Sequence, residues 1–110
     1  MINETIAKIE ERLQNNAALS PEQRADLLRL LTTLKAEMGN LSADEPEKAQ
    51  SIAGFTAVST HEAMREQRNP ELVDLSLKGL AQSVHGFEDS HPKLVQVVNS
   101  ICTTLSNLGI

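Results

Sequence analysis

With 110 residues and a formal net charge of −5, the chain has the length of one domain and an acidic surface. It has no Trp, no Tyr and only two Phe, which argues against nucleic acid, a ligand that needs basic tracks for phosphate and rings for stacking. The same balance argues against anionic membrane surfaces, which recruit basic amphipathic helices.

The N-terminus has no basic segment followed by an uninterrupted apolar run, so no signal peptide is expected, and no apolar stretch approaches the roughly 20 residues that span a bilayer. The first helix is marked by Ile2, Ile6, Ile9 and Leu13, whose spacings of four, three and four put all four side chains on one stripe. Glu4 and Lys8 follow each other at i,i+4 on its polar side. The pattern ends in Asn15-Asn16-Ala17-Ala18.

Ser20-Pro21-Glu22-Gln23 opens the second helix. Ser20 can cap, Pro21 suits the first helical position where its missing N–H is no loss, and Gln23 completes a capping box. Leu27, Leu31, Leu34, Met38 and Leu41 continue the four-three rhythm, with Leu28 and Leu30 widening the stripe. Gly39-Asn40 reads as the stop, which would leave Leu41 in the exit. Residues 1–41 are thus expected to form a helical hairpin.

Residues 42–69 read as a linker and a weak helix, with Asp44 and Glu47 as a possible capping pair. The large apolar residues there, Ile52, Phe55, Val58 and Met64, are sparse, and Ala49, Ala53, Gly54, Ala57 and Ala63 fill in between. Such a helix either packs closely through its small side chains or is partly mobile.

Residues 70–110 are expected to carry the C-terminal helices. Asn69-Pro70-Glu71 is a second strong start. Two seams follow: Val73, Leu77, Leu80, Val84, Phe87, and then Leu94, Val98, Ile101, Leu105, Leu108 before Gly109. The heptad register runs unbroken from Phe87 to Leu94, as one helix of about 58 Å over 70–108 would require. Pro92 opposes that by removing a donor and disfavouring the α conformation at His91, so a break at 89–91 is favoured over a kinked helix. Leu77, Leu80, Val98, Ile101 and Leu105 are expected to form the main core.

The chemistry-bearing residues give little. His61-Glu62-Ala63-Met64-Arg65 begins like a zinc-protease helix, but Arg65 stands where the second histidine must be. His85, Glu88 and His91 lie three apart, and Glu88-x-x-His91 has the spacing of carboxylate-bridged di-metal bundles. One chain offers one copy, so a symmetric dimer would have to supply the other; a helix end with Asp89 or Ser90 as cap is the plainer reading. Cys102, the only cysteine, fits a reducing compartment and a buried inert thiol, with no neighbouring base to activate it. No phosphate-binding glycine loop and no nucleophile elbow occur. No catalytic, cofactor or metal set is therefore assigned, and no enzyme activity is expected.

Phe87-Glu88-Asp89-Ser90-His91-Pro92-Lys93-Leu94, with the closing Leu105-Ser106-Asn107-Leu108-Gly109-Ile110 and the start motif Leu19-Ser20-Pro21-Glu22-Gln23-Arg24, resembles a bacterial family of small helical proteins, family 4404, classed as a domain of unknown function. The resemblance covers both ends of the chain, while 42–70 looks longer than in the commonest members. It implies a bacterial cytosolic helical protein and brings no activity with it. The expectation is one all-α domain over 1–110, a cytoplasmic helical bundle with coiled-coil-like seams and no cofactor. It would serve as a non-enzymatic interaction or self-association module. With so few aromatics to anchor a core, a homo-oligomer, most simply a dimer, is expected. A further protein partner is open, and a metal-dependent bundle using Glu88 and His91 across the dimer is the alternative.

Overall fold

The structure, a computed structural model, describes residues 2–108, which form five helices and, among the described residues, no strand. They are α1 (Ile2–Asn15), α2 (Pro21–Asp44), α3 (Pro46–Ala63), α4 (Pro70–Ser83) and α5 (Pro92–Asn107). Gly109, the expected terminator of α5, and Ile110 lie outside the described residues.

Proline at the first turn is the shared grammar of the last four helices. At α2 the capping box is complete: Gln23 N–H donates to Ser20 Oγ at 3.1 Å, and Ser20 N–H donates to Gln23 Oε1 at 3.0 Å. At α4, Asn69 Oδ1 accepts from Glu71 N–H at 3.0 Å and Leu72 N–H at 3.4 Å. The expected Asp44–Glu47 cap of α3 is not formed. Glu45 occupies the cap with no side-chain hydrogen bond, and the helix starts there because Pro46 cannot continue α2.

The same proline corrects the end of α2. The helix runs through Gly39 and Asn40, and Leu41 belongs to it, fully buried. Gly39 does not take up the left-handed conformation a glycine cap requires; among the described residues only Gly86 does, with φ +98°. The apolar rhythm outweighs one glycine, because burying Leu41 contributes more than the roughly 1 kcal/mol a helical glycine costs.

The segment expected to be weak, 42–69, holds a full helix. α3 buries Ala49, Ile52, Ala53, Thr56, Ser59 and Ala63, so its inward face is built from small residues that let neighbours approach closely. Its buried hydroxyls are all satisfied. Thr56 donates to Ile52 O and Thr60 to Thr56 O, both at 2.8 Å, and Ser59 donates across the interface to Ser76 O at 3.0 Å. Phe55 and Val58, counted among its large apolar residues, point outward instead.

The C-terminal half is two helices, and the break is longer than 89–91. α4 ends at Ser83, and Val84 and Phe87 reach the core from the connecting turn. Gly86 supplies the left-handed residue there, and Glu88 Oε1 accepts from its N–H at 3.0 Å. A single helix of about 58 Å would overrun a molecule whose longest extent is 37 Å.

α2 and α3 are central. α2 packs on α1, α3 and α5, while α3 packs on every other helix; α4 sits between α3 and α5, away from α1 and α2. The core joins Leu34, Met38 and Leu41 of α2 to Ile6 and Leu13 of α1, Ile52 of α3, Leu80 of α4 and Leu94, Ile101 and Leu105 of α5. Leu77, expected in the main core, is only half-buried at its edge.

Candidate functional site

The surface of α3 has two distinct edges. Toward α4, Phe55 and Val58 stand one turn apart on α3, and Leu72 and Leu75 one turn apart on α4. The helices run antiparallel here, since Ser59 bonds Ser76 while the Phe55 ring lies on Gly79. That pairing puts all four side chains on one outward face. They are the exposed large apolar residues among those described, at 40%, 49%, 39% and 66% exposure in chain order. Gly79 makes the close approach possible: a Cβ there would meet Phe55 Cε1 at 2.5 Å.

Toward α1, α3 presents Ala57, His61 and Met64 to Lys8, Ile9 and Arg12, and a groove of about 680 Å³ lies between the two helices. Spacings of four and three on α3, and of four between Lys8 and Arg12 on α1, keep these side chains along one cleft. Arg12 Nη1 donates to His61 Nδ1 at 3.0 Å, which requires a neutral imidazole carrying its hydrogen at Nε2. Arg65 Nη1 pairs with Glu62 Oε1 at 3.1 Å, and Glu62 lies 4.0 Å from His61 Nε2. His61 is thus held by Arg12 and Glu62 by Arg65.

The Glu88–His91 pair is not gathered into a site. Glu88 turns back on Gly86 N–H and lies 3.8 Å from His85 Nδ1, while His91 stands edge-on to Phe87, ring centres 5.7 Å apart. Neither Asp89 nor Ser90 caps α5; His91 holds the cap position without a side-chain bond, and Pro92 follows. Among the described residues no group of three or more His, Cys, Asp or Glu is placed to hold a metal ion. Cys102 is half-buried beside Leu77 O, with its Sγ 3.8 Å away, and burial pushes the thiol pKa up, away from a reactive thiolate.

Sequence reasoning passes over both edges of α3. The apolar face escapes because Phe55 and Val58 sit among buried small residues on α3 and Leu72 and Leu75 among buried apolar ones on α4, so exposure, not hydrophobicity, is what singles them out. The groove escapes because Arg12 and His61 are 49 positions apart. Arg24 escapes too: its guanidinium donates to Leu13 O at 3.0 Å and to Asn16 O and Leu19 O, tying the last turn of α1 and the loop after it to the start of α2.

No helix among the described residues is long and apolar enough to cross a membrane. No curated protein and no solved structure matches the chain. A family model does, over residues 2–110, and its description is a domain of unknown function, DUF4404. The matched range takes in the middle segment as well as the two ends. The chain is a member of the DUF4404 family.

Proposed function

We propose that this DUF4404 protein is a non-enzymatic interaction module of the cytoplasm that associates with a second copy of itself through the outward face of α3 and α4. One observation carries the reading: Phe55, Val58, Leu72 and Leu75 form one exposed apolar face on two adjacent helices. Single exposed apolar residues need no explanation, whereas a contiguous group of four on an otherwise acidic surface does. The face of a helix pair about 27 Å long and about 20 Å wide is of the scale on which the smaller specific interfaces are built. A two-fold axis through it would set the same four side chains against their own copies and form a four-helix layer without any new apolar surface.

Light scattering at micromolar concentration tests the idea. The expected mass is twice the 12.0 kDa of one chain, falling to a single chain in Leu75→Lys, which places a charge at the most exposed point of the face. A single-chain mass for the unaltered protein would sink self-association. A dimer untouched by Leu75→Lys and by Val58→Lys would move the interface elsewhere. The non-enzymatic part of the reading rests on where the candidate groups stand: Cys102 lies against Leu77 O, Glu88 binds Gly86 N–H, and His91 packs edge-on to Phe87.

A further inference from the structure

The groove on the other edge of α3 is independent of that face, and its chemistry is unusual for this chain. The molecule carries a formal net charge of −5, yet the groove walls carry Lys8, Arg12 and Arg65 against the single carboxylate of Glu11. Lys8 makes no hydrogen bond or ion pair among the described residues. Arg12 has one N–H committed to His61, at 3.0 Å, and a guanidinium has five donors in all, as a rule about four of them still free to bind. Only Arg65 has an acidic partner, Glu62 at 3.1 Å. Beneath these heads the floor is apolar: Ile9 is buried, and Ala57 and Met64 are half-buried. At about 680 Å³ the groove has the volume of small-molecule sites, which combine an apolar lining with a few converging polar groups.

We infer that the α1–α3 groove binds a small amphiphilic anion, its carboxylate or phosphate head held by Lys8 and Arg12 and its apolar body laid over Ile9, Ala57 and Met64. Neither half of the ligand suffices. A bare inorganic anion would leave the floor wet, and a neutral apolar molecule would leave two cations one turn apart on the α1 wall without a counter-charge. An anion between Lys8 and Arg12 forms charge-assisted hydrogen bonds, the stronger kind, while its tail covers apolar surface. The His61 contact fixes where the Arg12 guanidinium stands before any ligand arrives, so little ordering remains to be done on binding.

Sodium decanoate below its micelle concentration, titrated into the isotope-labelled full chain and followed by backbone amide shifts, tests this. The expected result is saturable change confined to residues 5–16 and 57–65. Binding should weaken about tenfold in Arg12→Gln and in Lys8→Gln, the loss of one charge-assisted contact, and should be unchanged in Lys35→Gln on α2. Ala57→Phe, which fills the floor, should abolish binding while leaving the remaining amide spectrum folded. Decanol or inorganic phosphate binding as tightly as decanoate would overturn the amphiphile. Decanoate binding that ignores both Arg12→Gln and Lys8→Gln, or no saturable change at all, would overturn the site. Vesicles of phosphatidylglycerol should not retain the protein; retention that Arg12→Gln abolishes would make the ligand a membrane lipid, and the free small anion would be the wrong source.

Discussion

At the scale of single residues, the chain makes legible whatever acts over three or four positions. Ser20 and Gln23 satisfy each other's backbone N–H groups at the start of α2, and Ser-x-x-Gln after a loop announces this directly, because the bonding partners are fixed by the spacing. Asn69 does the same for α4. Arg24 cannot be found this way. Its targets are the carbonyls of Leu13, Asn16 and Leu19, groups that come within its reach only once α1 has ended and the chain has turned back. Ser59 and Ser76 meet across two helices, and nothing local to either says so. Ser20→Ala should lower stability by about 1 kcal/mol, since Gln23 N–H loses its acceptor at an exposed helix start. Chemical denaturation would show it as a shifted midpoint with an unchanged slope; a midpoint equal to that of the unaltered chain would mean that water replaces the hydroxyl without loss.

At the scale of the helices, apolar periodicity locates α1, α2, α4 and α5, and it misleads where a breaker is weighed against it. Gly39 and Asn40 read as an end, yet the helix passes through them to Asp44 because Met38 and Leu41 are both buried on the α2 stripe. Gly86 gives no such signal, though it is where the chain leaves α4, because the four-three rhythm continues through Val84 and Phe87 after the helix has stopped. In both cases the side chains keep their place in the core, and a proline or a left-handed glycine nearby decides whether the backbone between them is helix or turn. α3 is the hardest to see: a helix that buries Ala49, Ala53 and Ala63 and exposes Phe55 and Val58 has little amphipathic signal in the usual sense. The two glycines offer opposed tests. Gly86 sits at φ +98°, so Gly86→Ala should destabilise by about 1 to 2 kcal/mol through backbone strain. Gly39 is helical, and a Cβ there would meet nothing within 4 Å, so Gly39→Ala should stabilise by up to about 1 kcal/mol. Thermal unfolding of the pair would separate them, and movement of both midpoints in the same direction would mean that α2 and α4 end elsewhere in solution.

At the scale of the molecule, the helices are predictable as elements but their arrangement is not. Seams on α1, α2, α4 and α5 are compatible with long coiled coils as readily as with a bundle, and the choice depends on Pro46 and Gly86, which fold the chain back on itself. Once folded, α3 becomes the wall against which every other helix packs, a role that its small residues permit by close approach and that hydropathy alone conceals. The consequence for energetics is that stability rests on aliphatic side chains, since Phe87 is the only buried aromatic residue among those described. Leu80 is the clearest case. It is fully buried at the meeting of α4 with the common core, two residues from Lys78, which is exposed and pairs with Asp74 at 3.0 Å. Leu80→Ala should cost about 2 to 5 kcal/mol, because the cavity it leaves is lined by helices already held in place from several sides. Lys78→Ala should cost less than about 0.5 kcal/mol, since an exposed i,i+4 ion pair contributes little. A domain of this size has about 5 to 15 kcal/mol in total, so the first change would remove a large part of it and the second would pass unnoticed. Equal and mild effects would mean that α4 is not docked on the core in solution, and the face it shares with α3 would then have to form together with its partner. Equal and severe effects would mean that the face of α4 turned to the core is the other one. A strong loss at Leu80 beside none at Lys78 ties the proposed interface to a helix pair that is already folded, so that Leu75 and Val58 meet a second copy as a rigid surface and the ordering cost of association falls on side chains alone.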